Sequence, residues 1–113
     1  MHELSIVMNI IDIAEENARR EKASVILEIE LDIGRQAGMV MESMDFAIES
    51  AKRGTMLEKA NWVINEIPAL ARCVSCQQEY EPHDWLSPCP YCQNFFSEVL
   101  QGRELRVKSL QVE

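Results

Sequence analysis

The chain has 113 residues and a mass of 13.0 kDa, enough for one domain with a small satellite. Acidic residues outnumber basic ones 19 to 11, a net charge of −8, which argues against nucleic acid because a phosphate backbone needs a basic footprint. No apolar run approaches the roughly 20 residues that span a bilayer, and MHELSIVMNI lacks the basic segment and clean apolar core of a signal peptide. A soluble, cytoplasmic protein with no nucleic-acid or membrane partner is expected.

Residues 4–22 read as an amphipathic helix, with Leu4, Val7, Met8, Ile11, Ala14 and Ala18 at helical spacing. Glu15–Arg19 and Glu16–Arg20 are i, i+4 pairs in the favoured orientation. Residues 25–33 switch to period two, with Val25, Leu27, Ile29, Leu31 and Ile33 on one face of a strand. Gly34 and Gly38 bracket a turn before a second helix at about 39–52, carrying Val40, Met44, Ala47, Ile48 and Ala51 on one side; Gly54 is placed as its stop. A second strand is expected at about 57–67 and a last one at about 104–112. The segment 73–92, CVSCQQEYEPHDWLSPCPYC, has three prolines and no helical period. It interrupts the pattern as an inserted lobe. The expectation is an α+β fold, two helices with a three-stranded sheet from 1–70 and 96–113, plus a zinc-ribbon-like lobe at 71–95.

The cysteine spacing is Cys73-x2-Cys76-x12-Cys89-x2-Cys92. A C-x2-C knuckle bends the backbone so that two thiolates reach one metal, and two knuckles complete a tetrahedral site. Four protein thiolates leave no open position, so Zn(II) here is expected to be structural and to fold a lobe too small for a core of its own. Iron would fit the same cage. A thioredoxin-like redox pair accounts for one CxxC but not for two. Pro88 and Pro90 stiffen the second knuckle, and Asn94 is a candidate for a left-handed position after it. His83, in the middle of the lobe, either replaces a cysteine as ligand or is an ordinary loop histidine, the second being the expected reading. Tyr80 and Trp85 either cover the metal hairpin or offer a contact surface. The lobe carries Glu79, Glu81 and Asp84 and no Lys or Arg, which suits a protein-interaction or metal-relay lobe.

The chain opens Met1-His2-Glu3. The terminal amine of Met1, the intervening amide nitrogen and the His2 imidazole can close adjacent chelate rings, a nitrogen-rich set that favours Ni(II) or Cu(II). Glu3 adds an oxygen or a further backbone nitrogen. The plain alternative is a frayed terminus, but the apolar stripe starts at Leu4 and would hold these groups in place.

In these motifs the chain resembles the HypA/HybF family of nickel metallochaperones. The likeness is carried by Met1-His2-Glu3-Leu4-Ser5, Ile33-Gly34, the doubled CxxC, Gly102-Arg103-Glu104-Leu105-Arg106-Val107-Lys108-Ser109 and Val112-Glu113. The resemblance implies Ni(II) held as transient cargo by the MHE segment, with His2 as the essential ligand, and structural zinc on the four cysteines. It implies a nickel-handling GTPase and the [NiFe]-hydrogenase large subunit as partners, with urease and its accessory proteins served by some members. Monomers and homodimers both occur. Some relatives place a carboxylate near the start of the second helix; here position 40 is Val, and the nearest acid is Glu42. Glu42 is either a further nickel ligand or an acid complementing the helix dipole. No catalytic triad, phosphate loop or acid pair is present, so no enzymatic activity is expected. The rival reading is a zinc-ribbon adaptor with an incidental N-terminus.

Overall fold

The computed structural model describes residues 3–84 and 87–113. Its elements are α1 (Glu3–Arg20), β1 (Ile26–Gly34), α2 (Met41–Ala51), β2 (Asn61–Ile67), β3 (Leu70–Cys73), β4 (Glu79–Tyr80), β5 (Ser97–Gln101) and β6 (Leu105–Val112). They form two three-stranded sheets, ordered β2-β1-β6 and β4-β3-β5. The α+β class with two helices, a three-stranded sheet and a cysteine-bearing lobe is as expected.

The chain packs as two compact units, one of residues up to Asp32, Met39–Asn65 and Arg106–Glu113, the other of Ile33–Gly38 and Glu66–Leu105. The second unit takes in more chain than the 71–95 read from the cysteine spacing. Its sheet needs β5, which pairs antiparallel with β3 from Cys73↔Ser97 to Leu70↔Gln101, so residues on both sides of the knuckles belong to it.

In the first unit, α1 buries Ile6, Val7, Ile10, Ile11, Ala14 and Ala18. Leu4 and Met8, expected inside, are 46% and 53% exposed. Two apolar flanks, Leu4/Met8 and Ile6/Ile10, adjoin the shared stripe, and packing takes the second. The helix ends with Lys22 at φ 58°, Lys22 N–H bonded to Arg19 C=O and Ala23 N–H to Ala18 C=O. That is a Schellman ending on a residue other than glycine. In β1, Ile26 is buried and Leu27 exposed, the reverse of the expected alternation, while Ile29, Leu31 and Ile33 point inward as expected. The pleat therefore changes phase between Ile26 and Ile29, which moves every side chain before it to the other face.

β2 starts later than expected. Residues 56–59 form turns, held by bonds from Thr55 N–H to Lys52 C=O, Glu58 N–H to Thr55 C=O and Ala60 N–H to Leu57 C=O. Leu57 is still fully buried. Asn61 donates to Glu28, and Asn65 to Glu30 and Asp32, so β2 runs alongside β1 in the same direction with α2 as the crossover. β6 runs antiparallel, with Val25 and Glu113 exchanging both backbone bonds.

Across these three strands lies a polar row. Asp32, 3% exposed, accepts from Asn65 Nδ2 at 3.0 Å and from Arg106 Nε at 2.9 Å. Glu30 accepts from Asn65 at 2.7 Å and faces Lys108 at 3.5 Å. The Asn65 bond first, then Arg106, holds Asp32 below the usual carboxylate range; the Asn65 bond, then Lys108, does the same for Glu30. A carboxylate depressed in the folded state stabilises above its unfolded value, about 4, and that contribution is lost as pH falls through the folded value. Urea midpoints are therefore expected to drop between pH 5 and pH 3, on the order of the carboxylate range. Asp32→Asn should flatten that slope while lowering the midpoint at neutral pH; an unchanged slope would rule out this source of acid sensitivity.

Candidate metal sites

The two knuckles are built alike. Cys73 N–H bonds Gln78 C=O, and Gln77 N–H bonds Cys73 C=O; Cys89 N–H bonds Asn94 C=O, and Gln93 N–H bonds Cys89 C=O. The residue after each second cysteine, Gln77 at φ 66° and Gln93 at φ 68°, is left-handed. Asn94 was expected there, one place too late. The turn that returns a carbonyl to the first cysteine must reverse at the fifth residue, so Gln93 takes the strain. Asn94 is used otherwise: its Nδ2 donates to Ser75 Oγ, joining the knuckles, and its Oδ1 accepts from Phe96 N–H.

This geometry gathers Cys73, Cys76, Cys89 and Cys92, with all four Sγ atoms within 4.8 Å of one another. Two Sγ pairs lie at 3.4 and 3.6 Å. Zinc bound tetrahedrally at about 2.3 Å from each sulfur needs edges of about 3.8 Å, so the set fits such an ion. Backbone N–H groups point at the sulfurs, from Cys76 and Ser75 to Cys73, from Gln78 to Cys76, from Tyr91 to Cys89 and from Asn94 to Cys92. The Cys76 N–H above all holds the Cys73 thiol down at about 6, against burial. For Cys92 the Asn94 N–H favours the thiolate, yet the neighbouring Cys73 sulfur and burial push it up to about 12. Four crowded sulfurs resist ionising together until a cation compensates them.

Met1 and His2 lie outside the described residues. Glu3 opens α1 and Glu42 lies in the first turn of α2, and both line one cavity of about 390 Å3 with Leu4, Ser43, Phe46, Ala47 and Ser50. The packing of α1 on α2 brings these two carboxylates, 39 positions apart in sequence, to the same opening. Val40, the residue before α2, makes no side-chain cap bond and is 58% exposed. His83 is exposed and stands apart from the four-sulfur cluster, on the rim of a pocket with Arg35, Gln36, Ala69, Glu81 and Pro82. Tyr80 is buried against the cysteines, which answers the covering alternative, while Trp85 lies outside the described residues.

A family model described as HypA, hydrogenase/urease nickel incorporation, metallochaperone, matches residues 1–112. The chain belongs to the HypA family. It is 40% identical over 110 residues to the hydrogenase maturation factor HypA of Parabacteroides distasonis, covering 97% of this chain and 96% of that one. It is 37% identical over 113 residues, the whole of both chains, to that of Geobacter metallireducens. The solution structure of the Ni metallochaperone HypA from Helicobacter pylori matches with a TM-score of 0.69 at 25% identity, covering 99% of this chain and 97% of that one. Another solution structure of a HypA protein matches with a TM-score of 0.72 at 25% identity, covering 100% and 97%. HypA proteins form a nickel-metallochaperone family of hydrogenase maturation, and this chain carries its fold. No helix among the described residues is long and apolar enough to cross a membrane.

Proposed function

We propose that the protein is a nickel carrier that takes up Ni(II) at its N-terminus and surrenders it during assembly of a [NiFe]-hydrogenase. The observation that carries this reading is the family match over residues 1–112, which includes Met1-His2-Glu3. The Met1 amine, the His2 imidazole and the backbone between them supply nitrogen donors suited to Ni(II). Glu3 adds an oxygen or a backbone nitrogen. Glu42 lines the same cavity as Glu3, which supports it as a further oxygen donor; as an acid in a helix's first turn it also complements the dipole. A set of few ligands near the surface lets a partner displace them one by one, whereas a closed cage does not. The nickel-handling GTPase and the hydrogenase large subunit are the partners of this reading, with urease maturation a second outlet. The protein works in the cytoplasm, as a monomer or homodimer, and catalyses no reaction.

The four cysteines would hold Zn(II), which supplies the lobe with its fold. Cys73 and Cys89 are wholly buried and Cys92 exposed, so the ion sits at the margin of the unit with no position left for cargo.

The test counts metals per chain in untagged protein with a native Met1, beside His2→Ala. One zinc in both and nickel in the native chain alone are expected. Nickel retained by His2→Ala removes His2 from the site; zinc without nickel in either leaves the adaptor reading.

A further inference from the structure

The second unit holds a cavity of about 380 Å3, lined by Arg35, Gln36, Ala69, Glu81, Pro82 and His83. It shares no lining residue with the four-cysteine cluster or with the cavity of Glu3 and Glu42. Its volume lies at the low end of the range for small-molecule sites, about 300–1,000 Å3. Backbone bonds fix its walls. Arg35 N–H bonds Ile67 C=O at 2.9 Å, and Gln36 N–H bonds Gly102 C=O at 2.7 Å. Gly102 in turn backs onto Ala69, whose Cα a Cβ at position 102 would meet at 2.7 Å. The backbone N–H groups of His83 and Asp84 both donate to Ser87 Oγ at 3.1 Å, which fixes the loop carrying His83.

The lining is rich in donors. Gln36 Nε2 is buried and has no hydrogen-bond partner among the described residues. Arg35 gives Glu81 only its Nη1, at 3.5 Å, and the two side chains are 59% and 61% exposed. Such a contact is weak, and it leaves the guanidinium its other N–H groups. Glu81 is the single carboxylate on the lining. A buried amide N–H without an acceptor is costly, and an oxyanion satisfies it together with a guanidinium. A metal ion does not suit this set, because among the described residues only the four cysteines bring three or more ligating side chains within reach of one another. Of the oxyanions, a carboxylate fits best. Guanidinium and amide are both flat donors and match a flat, two-oxygen acceptor. A phosphate dianion would face Glu81 and a net charge of −8 with twice the charge. Ala69 and Pro82 supply an apolar wall for a short aliphatic body.

We propose that this cavity binds a carboxylate with a short aliphatic body, held by the Arg35 guanidinium and the Gln36 amide, with His83 on its rim. The carboxylate belongs either to a free dicarboxylic acid or to the C-terminal end of a peptide. The site does not depend on the nickel reading above, and it stands or falls without it.

The test titrates the zinc-loaded, 15N-labelled chain at constant ionic strength with succinate, with acetyl-Gly-Ala and with the same peptide amidated at its C-terminus. NMR follows the Gln36 side-chain NH2 and the backbone amides of Gln36 and Ala69. A saturable shift with succinate, with acetyl-Gly-Ala or with both is expected, and which of them binds names the source. The amidated peptide should leave these resonances unmoved, and inorganic phosphate should bind more weakly than the carboxylate. Gln36→Glu replaces the donor by a like charge at nearly constant shape. Affinity, read at the backbone amides, is expected to fall about tenfold or more, with zinc content unchanged. Arg35→Gln, at an exposed position, is expected to show the same loss and carries the test if Gln36→Glu loses zinc. The proposal is overturned if neither carboxylate gives a saturable shift, if the amidated peptide or phosphate binds as well, or if a variant that keeps its zinc binds like the native chain.

Discussion

Cys89→Ser is expected to lose zinc and unfold the cysteine lobe while the helices persist. The buried cluster of the lobe consists of Ala71, Cys73, Tyr80 and Cys89, with Cys76 packed against it. Cysteines make up half of that buried set, so the cage and the core are the same object. Its strands are short, two residues in β4 and four in β3, and do not stand without that centre. A structural zinc contributes about 10–16 kcal/mol of apparent binding energy in small metal-folded domains, far above what four buried side chains supply. Hydrogen exchange checks this region by region: amides of 73–78 and 89–94 should lose protection, and those of α1 and α2 should keep it. Strong chelation of the native chain should have the same effect. Full protection of the lobe without zinc would show that packing alone folds it.

Gly34→Ala is expected to be the most damaging single methyl group in the chain. A Cβ at Gly34 would lie 2.0 Å from Gly102 O, 2.1 Å from Gly102 C and 2.6 Å from Arg103 N. All three are backbone atoms, so no side chain can swing aside. The opposing backbone is itself fixed, because Gly102 has φ 117° and a Cβ there would meet Ala69 Cα at 2.7 Å. Hydrogen bonds hold the approach closed, from Gly34 N–H to Glu104 C=O and from Gln36 N–H to Gly102 C=O, both 2.7 Å. Relief requires breaking that crossing, at a cost of about 3 kcal/mol or more. Urea unfolding of Gly34→Ala measures it; a loss under about 1 kcal/mol would mean that the two segments separate freely.

The role of Gly34 illustrates what a linear reading leaves out. As a strand end beside Gly38 it reads as a turn residue, yet no positive φ is needed there; the demand comes from Gly102, 68 positions away. The cysteine cage was fully legible, because C-x2-C is a local device whose bonds stay within six residues of each first cysteine. Its supporting sheet was not: β3, β4 and β5 are two to five residues long and too short to show a period. The helices were legible from their stripes. Which flank of α1 turned inward was not, since Leu4/Met8 and Ile6/Ile10 offer equivalent apolar surface. Glu42 was marked in the sequence only as the acid nearest the start of the second helix; that it shares a cavity with Glu3 came from the packing of α2 on α1.

The sequence by itself determined whatever depends on neighbours along the chain: helix and strand periods, the doubled knuckle that gathers four sulfurs, and the family. Only the tertiary structure decided which faces met, where the unit boundary fell, why position 34 admits no side chain and which carboxylates share a cavity. Those outcomes turn on contacts between residues tens of positions apart, where several pairings satisfy the same local pattern and packing selects one.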